Sequence, residues 1–160
     1  MSVEVLHPPP TRFRGRRNDG SLVMGVRFGA TRVLLVGDLE RRGERALLRS
    51  EQNLGATILK VPHHGSDTSS TDAFVEAVGP VTAIASLGAN NAWGFPARAV
   101  LERYEQGGAL FATTADLGEI VLETDGQLER LTPCRLPGPR PPDASMGPLT
   151  SGGRTAGREP

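Results

Sequence analysis

The sequence predicts a layered α/β domain, and three observations carry that prediction. Apolar runs of strand length alternate, after Val36, with segments whose apolar residues recur at helical spacing. The central runs are apolar at consecutive positions, as strands covered on both faces are. Each run is cut short by a glycine, a proline or a polar cluster. The chain has 160 residues, and the ordered pattern fills residues 1–132, which suits one hydrophobic core. Seven prolines and five glycines fall between Pro133 and Pro160, and with so few apolar side chains residues 133–160 are read as a disordered tail.

In chain order, Val3 to Leu6 is a short strand, halted by Pro8, Pro9 and Pro10. Ser21 to Phe28 and Thr31 to Val36 are β-rich and separated by Gly29 and Ala30, which predicts an antiparallel hairpin. Leu39, Gly43, Ala46 and Leu47 have helical spacing, and Thr57 to Val61 is a second buried strand. A helix is expected from about Ser70, with Phe74, Val75 and Val78 inward and Pro80 closing it. Val81 to Ser86 is a third central strand. Pro96 is placed to open a helix bearing Val100, Leu101 and Tyr104, which Gly107 and Gly108 end. Ala109 to Ala112, Glu119 to Glu123 and Gln127 to Leu131 complete the strands, the last two joined at Asp125-Gly126.

Composition removes several classes of function. Acidic and basic residues number 18 each, so bulk charge argues for no particular partner. Every basic residue except Lys60 is arginine. The single cysteine, Cys134, excludes a disulfide framework and a thiolate-rich zinc cluster, leaving His, Asp, Glu or Asn to bind any metal. No stretch approaches the roughly 20 apolar residues of a membrane-spanning helix, and the proline-rich start lacks a signal peptide's apolar run.

Polar residues collect where the buried strands end: Asp38 after Val36, His63 and His64 after Val61, Asn90 and Asn91 after Ser86. Strand ends of open α/β sheets face the ligand crevice, so these groups are expected to converge. Asp38 reads either as a turn or cap carboxylate or as a metal-binding or catalytic group. The histidine pair can serve one site only if the chain turns there, which Pro62 and Gly65 allow. One histidine would then ligate metal while the other contacts substrate or moves a proton. Asn18, Asp19 and Ser21 have the composition of an ordinary turn. Arg12, Arg14, Arg16 and Arg17 form the one dense basic run, a solvated loop or a contact for a phosphodiester backbone. His7, Trp93 and Cys134 attract no functional claim, and Asp67, Asp72 and Asp116 read as cap or turn residues.

The order Asn18-Asp19-Gly20-Ser21, Leu35-Val36-Gly37-Asp38-Leu39-Glu40 and Leu59-Lys60-Val61-Pro62-His63-His64-Gly65-Ser66 strongly resembles the metallo-β-lactamase-fold domain of ComEC/Rec-type competence proteins, which act in DNA uptake. Ser86 to Asn91 and Thr114 to Gly118 match the same family, and the resemblance runs from about Val3 to Val121. It implies an αββα sandwich, of which this chain is the C-terminal half, with a two-metal hydrolytic site at the sheet edge. Asp38 would bridge both metals, His63 would bind the second, and His64 would face the substrate phosphate. Asn18 or Asp19 stands where many such hydrolases place a histidine ligand, so the ion would be zinc or, with oxygen ligation, manganese. Ser66, Asn90, Asn91, Arg16 and Arg17 would line the path of single-stranded DNA.

Two departures accompany the resemblance. The family's His-x-His-x-Asp-His signature is absent, and where the family commonly has Gly-His-Pro this chain has Gly94-Phe95-Pro96. The expectation is therefore an incomplete metal site, inactive alone, with apolar surface left for the missing N-terminal half of the domain or for self-association. The alternative is a non-catalytic remnant that binds nucleic acid or protein. In the family this domain works outside the cytoplasm as part of a membrane protein; this chain alone would be cytoplasmic.

Overall fold

A computed structural model describes residues 1–9 and 17–134. The predicted disordered tail lies outside the described residues from position 135 onward, and so does Arg16. The order of elements is β1 (Ser2–His7), β2 (Val23–Phe28), β3 (Thr31–Leu35), α1 (Arg41–Leu48), β4 (Ile58–Lys60), α2 (Asp72–Val78), β5 (Thr82–Ala85), α3 (Arg98–Gln106), β6 (Leu110–Thr113), α4 (Thr114–Leu117), β7 (Glu119–Thr124) and β8 (Glu129–Cys134). Short 3-10 turns at Asn18–Gly20 and Pro62–Gly65 interrupt the loops.

β1 to β6 form one sheet in chain order. β1, β2 and β3 pair antiparallel, β2 with β3 as the short Gly29-Ala30 link requires, and β3 to β6 pair parallel, each crossover carrying a helix. The expected α/β layering is what the chain adopts. α4, only one turn long, is an element that the apolar spacing does not announce. Its signal is polar: the Thr113 hydroxyl accepts from Asp116 N at 3.0 Å and donates to the Asp116 carboxylate at 2.6 Å, a reciprocal cap. α2 ends at Gly79, which takes the left-handed conformation, with Pro80 just beyond.

Residues paired across adjacent strands share a face, and here the two faces differ. Leu34, Leu59 and Ala83 lie on the side covered by α1, α2 and α3 and join Leu47, Phe74, Val78, Val100 and Tyr104 in one core. On the opposite side run two rows: Val5, Met24, Leu35, Lys60, Ile84 and Ala112, and Val3, Val26, Val33, Ile58, Thr82 and Leu110. Only Lys60 and Thr82 are polar. The separate β7–β8 hairpin is tied to the start of β3 and β4 through Thr124 to Thr31 (2.8 Å) and Glu129 to Thr57 (2.7 Å). Toward β1 the rows emerge, with Val3 and Val5 more than half exposed. This sheet therefore has one helix-covered face and one apolar face that is covered in part.

Candidate functional site

Because β3, β4 and β5 are parallel and in register, the segments that leave them arrive at one end of the sheet. Asp38 follows β3, His63 and His64 follow β4, and Ser86 follows β5. His63 N donates to Gly37 O at 3.0 Å, which stitches the first two segments together. The turn is sharp: His63 (φ 45°, ψ 42°) and His64 (φ 56°, ψ 18°) are both left-handed. Consecutive non-glycine residues in that region cost about 1 kcal/mol or more each. The strained turn sets both imidazoles at the strand ends where Asp38 and Glu40 lie. Gly65, at φ 85°, leaves no room for a side chain, since a Cβ there would meet Pro96 Cβ at 2.6 Å.

His64 Nδ1 lies 2.5 Å from Ser86 O, so that nitrogen carries the hydrogen and donates it. Nε2 then faces Asp38 Oδ1 at 3.4 Å. A lone pair opposite a carboxylate oxygen is unfavourable unless a proton or a cation stands between them. Both side chains are accessible, 42% and 45% exposed, so either can enter from solvent. A second pair adjoins the first: His63 Nδ1 is 3.4 Å from Glu40 Oε1, which also accepts from Asn18 Nδ2 at 3.1 Å. Lys60, on the open face of β4, has its pKa lowered by burial, with the Asp38 carboxylate pulling the other way. The sequence reading picks out neither Glu40 nor Lys60 as a site residue. Lys60 alone carried a signal, as the lone lysine among arginines.

Behind the histidine turn stands a buried frame. Glu44, fully buried in α1, accepts from Ser70 N, from Thr71 N at 2.9 Å and from the Thr71 hydroxyl at 2.7 Å. Burial pushes its pKa up, and these hydrogen bonds oppose the shift. Tyr104 of α3 donates to the Ser70 hydroxyl at 3.0 Å, and Arg103 reaches Asp72 at 3.1 Å. The loop from Gly65 to Thr71 is thus clamped by α1 and α3. Ser66 belongs to this frame. It is 3% exposed, and its hydroxyl pairs with Thr68 Oγ1 at 3.0 Å rather than facing solvent.

Asp19 is also turned inward. It is 1% exposed, and its Oδ1 accepts from Gly43 N at 2.9 Å, capping α1 from outside the helix. Gly43 permits this approach, because a Cβ there would sit 2.8 Å from Asp19 O. The structure therefore gives Asp19 a capping task and leaves Asn18 as the member of that turn linked, through Glu40, to His63. Arg17 is exposed.

The loop after β5 leans on the histidine turn. Asn91 accepts from Phe95 N at 2.8 Å and donates to Phe95 O at 2.9 Å and to Gly88 O at 3.1 Å. Its amide is spent on holding the loop, while exposed Asn90 keeps its side chain outward. Ala97 N donates to Gly65 O at 2.8 Å. Phe95 thereby brings its ring 5.9 Å from that of His63, edge to face.

Among the described residues, no group of three or more His, Cys, Asp or Glu side chains could hold a metal ion. Asp38 with His64 and Glu40 with His63 are pairs, and two ligands are fewer than a structural or catalytic zinc requires. The described side chains do not by themselves fit the metal centre that the sequence resemblance implies. Nor, among the described residues, is any helix long and apolar enough to cross a membrane.

The family model for the metallo-beta-lactamase superfamily matches residues 3–89. An uncharacterized Escherichia coli protein, YcaI, is 35% identical over 130 residues, covering 81% of this chain and 17% of that protein. ComE operon protein 3 of Bacillus subtilis is 40% identical over 86 residues, 54% of this chain and 11% of the relative. Competence protein ComA of Neisseria gonorrhoeae is 41% identical over 87 residues, 54% of this chain and 13% of the relative. The chain thus spans less than a fifth of the length of each.

Proposed function

This chain belongs to the metallo-β-lactamase superfamily and is similar to competence proteins of the ComEC/Rec type, and on that premise we propose that it forms one side of a phosphodiester-hydrolysing site used in DNA uptake. The observation that carries the reading is the Asp38–His64 pair, 3.4 Å apart at the ends of adjacent parallel strands, with the imidazole tautomer fixed by Ser86 O. Fixing Nδ1–H aims the lone pair of Nε2 into the site, the usual way a protein orients an imidazole as ligand or base. Asp38 contributes negative charge to attract a cation, and His64 Nε2 holds or moves a proton beside it. Asp38 and His64 would supply only two ligands of a zinc or manganese site that other residues must complete, and the chemistry such a completed site supplies is activation of water for phosphodiester hydrolysis.

With two ligand pairs among the described residues, this chain alone is proposed to be inactive. Catalysis would need further ligands from the N-terminal half of such a domain, seated on the apolar face of the sheet. That face favours a second reading as well: with too few ligands of its own, the domain serves as a binding module for nucleic acid or protein.

Purified chain should bind less than one equivalent of manganese or zinc tightly and leave single-stranded DNA uncut. Both metal titration by calorimetry and a gel assay are direct. Robust cleavage that disappears in Asp38→Ala would establish hydrolysis and refute the claim that the half-site is insufficient. Metal and single-stranded DNA binding that are both indifferent to Asp38→Ala and His64→Ala would remove the proposed site.

A further inference from the structure

Trp93 is the one tryptophan of the chain and is 76% exposed. Its ring lies 6.3 Å from that of Phe95, only 19° from parallel, and Phe95 in turn abuts His63. An indole so exposed loses the stabilisation of burial, roughly 25 cal/mol for each Å² left in water. A floppy loop could carry such a residue with no consequence, but this loop is braced. The Asn91 amide closes it with three hydrogen bonds, and Ala97 and Pro96 fix it to Gly65. The two rings therefore form a preorganised shelf whose inner end is the histidine turn.

We infer that Trp93 and Phe95 are a base-stacking subsite beside the Asp38–His64 site, which holds an unpaired nucleobase against its outer ring. Every nucleobase presents a flat π-face, and an exposed aromatic ring binds it with little regard to sequence. In a duplex those faces are stacked on one another and only base edges remain accessible. The ring-to-ring steps from Trp93 to Phe95 and from Phe95 to His63, 6.3 and 5.9 Å, lead from the shelf directly to the histidine pair. The phosphates flanking a stacked base then fall beside that pair. The inference rests on the phosphodiester reading of the site and adds to it a residue at position 95 where the sequence departs from the family pattern: a hydrophobic ring in place of an imidazole extends the shelf inward.

Because Trp93 is unique, its emission reports on its own stacking. The full chain is titrated with an octathymidylate, with an abasic oligonucleotide of the same length and charge, and with a duplex. Affinity for the octathymidylate is measured separately by fluorescence anisotropy for wild type, Trp93→Ala and Trp93→Phe. The expected result is quenching by the octathymidylate alone, an affinity roughly ten-fold or more weaker in Trp93→Ala, and substantial retention in Trp93→Phe. Since the side chain is exposed, loss of fold does not explain the effect, and circular dichroism checks it. Equal affinity for base-bearing and abasic strands, or an unaltered Trp93→Ala, overturns the shelf while leaving the phosphodiester reading intact. Absence of binding to all three overturns both.

Discussion

The two ends of strands β3 and β4 behave as opposites. At their start, Arg32 is 3% exposed and is gripped by Glu4, by Asn53 O and by Gly55 O, the last two at 2.7 Å. Thr57 adds bonds to Arg32 N, Arg32 O and Glu129, between 2.7 and 3.1 Å. At their finish, the contacts between charged or titratable groups open to 3.4 Å, both histidines are left-handed, and Asp38 and His64 are nearly half exposed. Short bonds in a buried setting determine a geometry; long ones in a strained setting leave donors and acceptors for something else to satisfy. One end holds the sheet together, and the other is the end where the proposed site lies.

The largest effect should come from breaking the closed end. Arg32→Ala removes the bonds of a nearly buried guanidinium to Asn53 O, Gly55 O and Glu4 and leaves a cavity in its place, which should destabilise the fold by about 2 to 3 kcal/mol. Urea denaturation measures this. A loss below about 1 kcal/mol would mean that the closed end is not the structural anchor described above.

Glu44, in the frame behind the open end, sharpens the contrast through pH. Its folded pKa is raised, so the native state binds this proton more tightly than the unfolded chain does. The associated stability is complete below the unfolded value near 4.5, and it is lost as pH rises through the folded value. Thermal melts at pH 4.5 and pH 7.5 should show a smaller decline for Glu44→Gln than for wild type. At the lower pH the variant should be weaker by about 1 to 2 kcal/mol, because an amide cannot accept all three bonds. Identical pH slopes would mean that the carboxyl is not desolvated as described.

The smallest effect should be close to zero. His64→Gly relieves a left-handed side chain but also removes the bond from Nδ1 to Ser86 O, so stability should change by no more than about 1 kcal/mol in either direction, while any binding of manganese declines. A loss well beyond that would make His64 a structural residue.

The sequence carried the placement of the open end because its determinants are local. Gly37-Asp38 and Pro62-His63-His64 terminate apolar runs, and a run that stops abruptly locates its own strand end. The same holds for the antiparallel start and the helix closed at Gly79-Pro80. What remained illegible depended on distant partners. Asp19 and Ser66 look like exposed turn residues, yet a glycine in α1 and a threonine two positions on draw them inside. Glu44 sits on an Arg-rich helix, where a carboxylate ordinarily faces water, and only the arrival of Ser70, Thr71 and Tyr104 makes its burial tenable. Asn91, expected along the DNA path, spends its amide on Gly88 and Phe95 and so holds the loop that carries the exposed Trp93, which motif order ignores.

β1 has a further consequence. It forms the margin of the six-stranded sheet, paired with β2 on one side only among the described residues, and it places Val3 and Val5 outward. An unpaired strand with apolar side chains is a template for edge-to-edge growth with other chains. Glu4 is the charged residue within the strand and it is committed to Arg32, so it guards that margin poorly. Shelf life and expression yield, more than melting temperature, should therefore be governed by three residues at the N-terminal margin, and a lysine at position 3 or 5 is the substitution that should keep concentrated solutions clear.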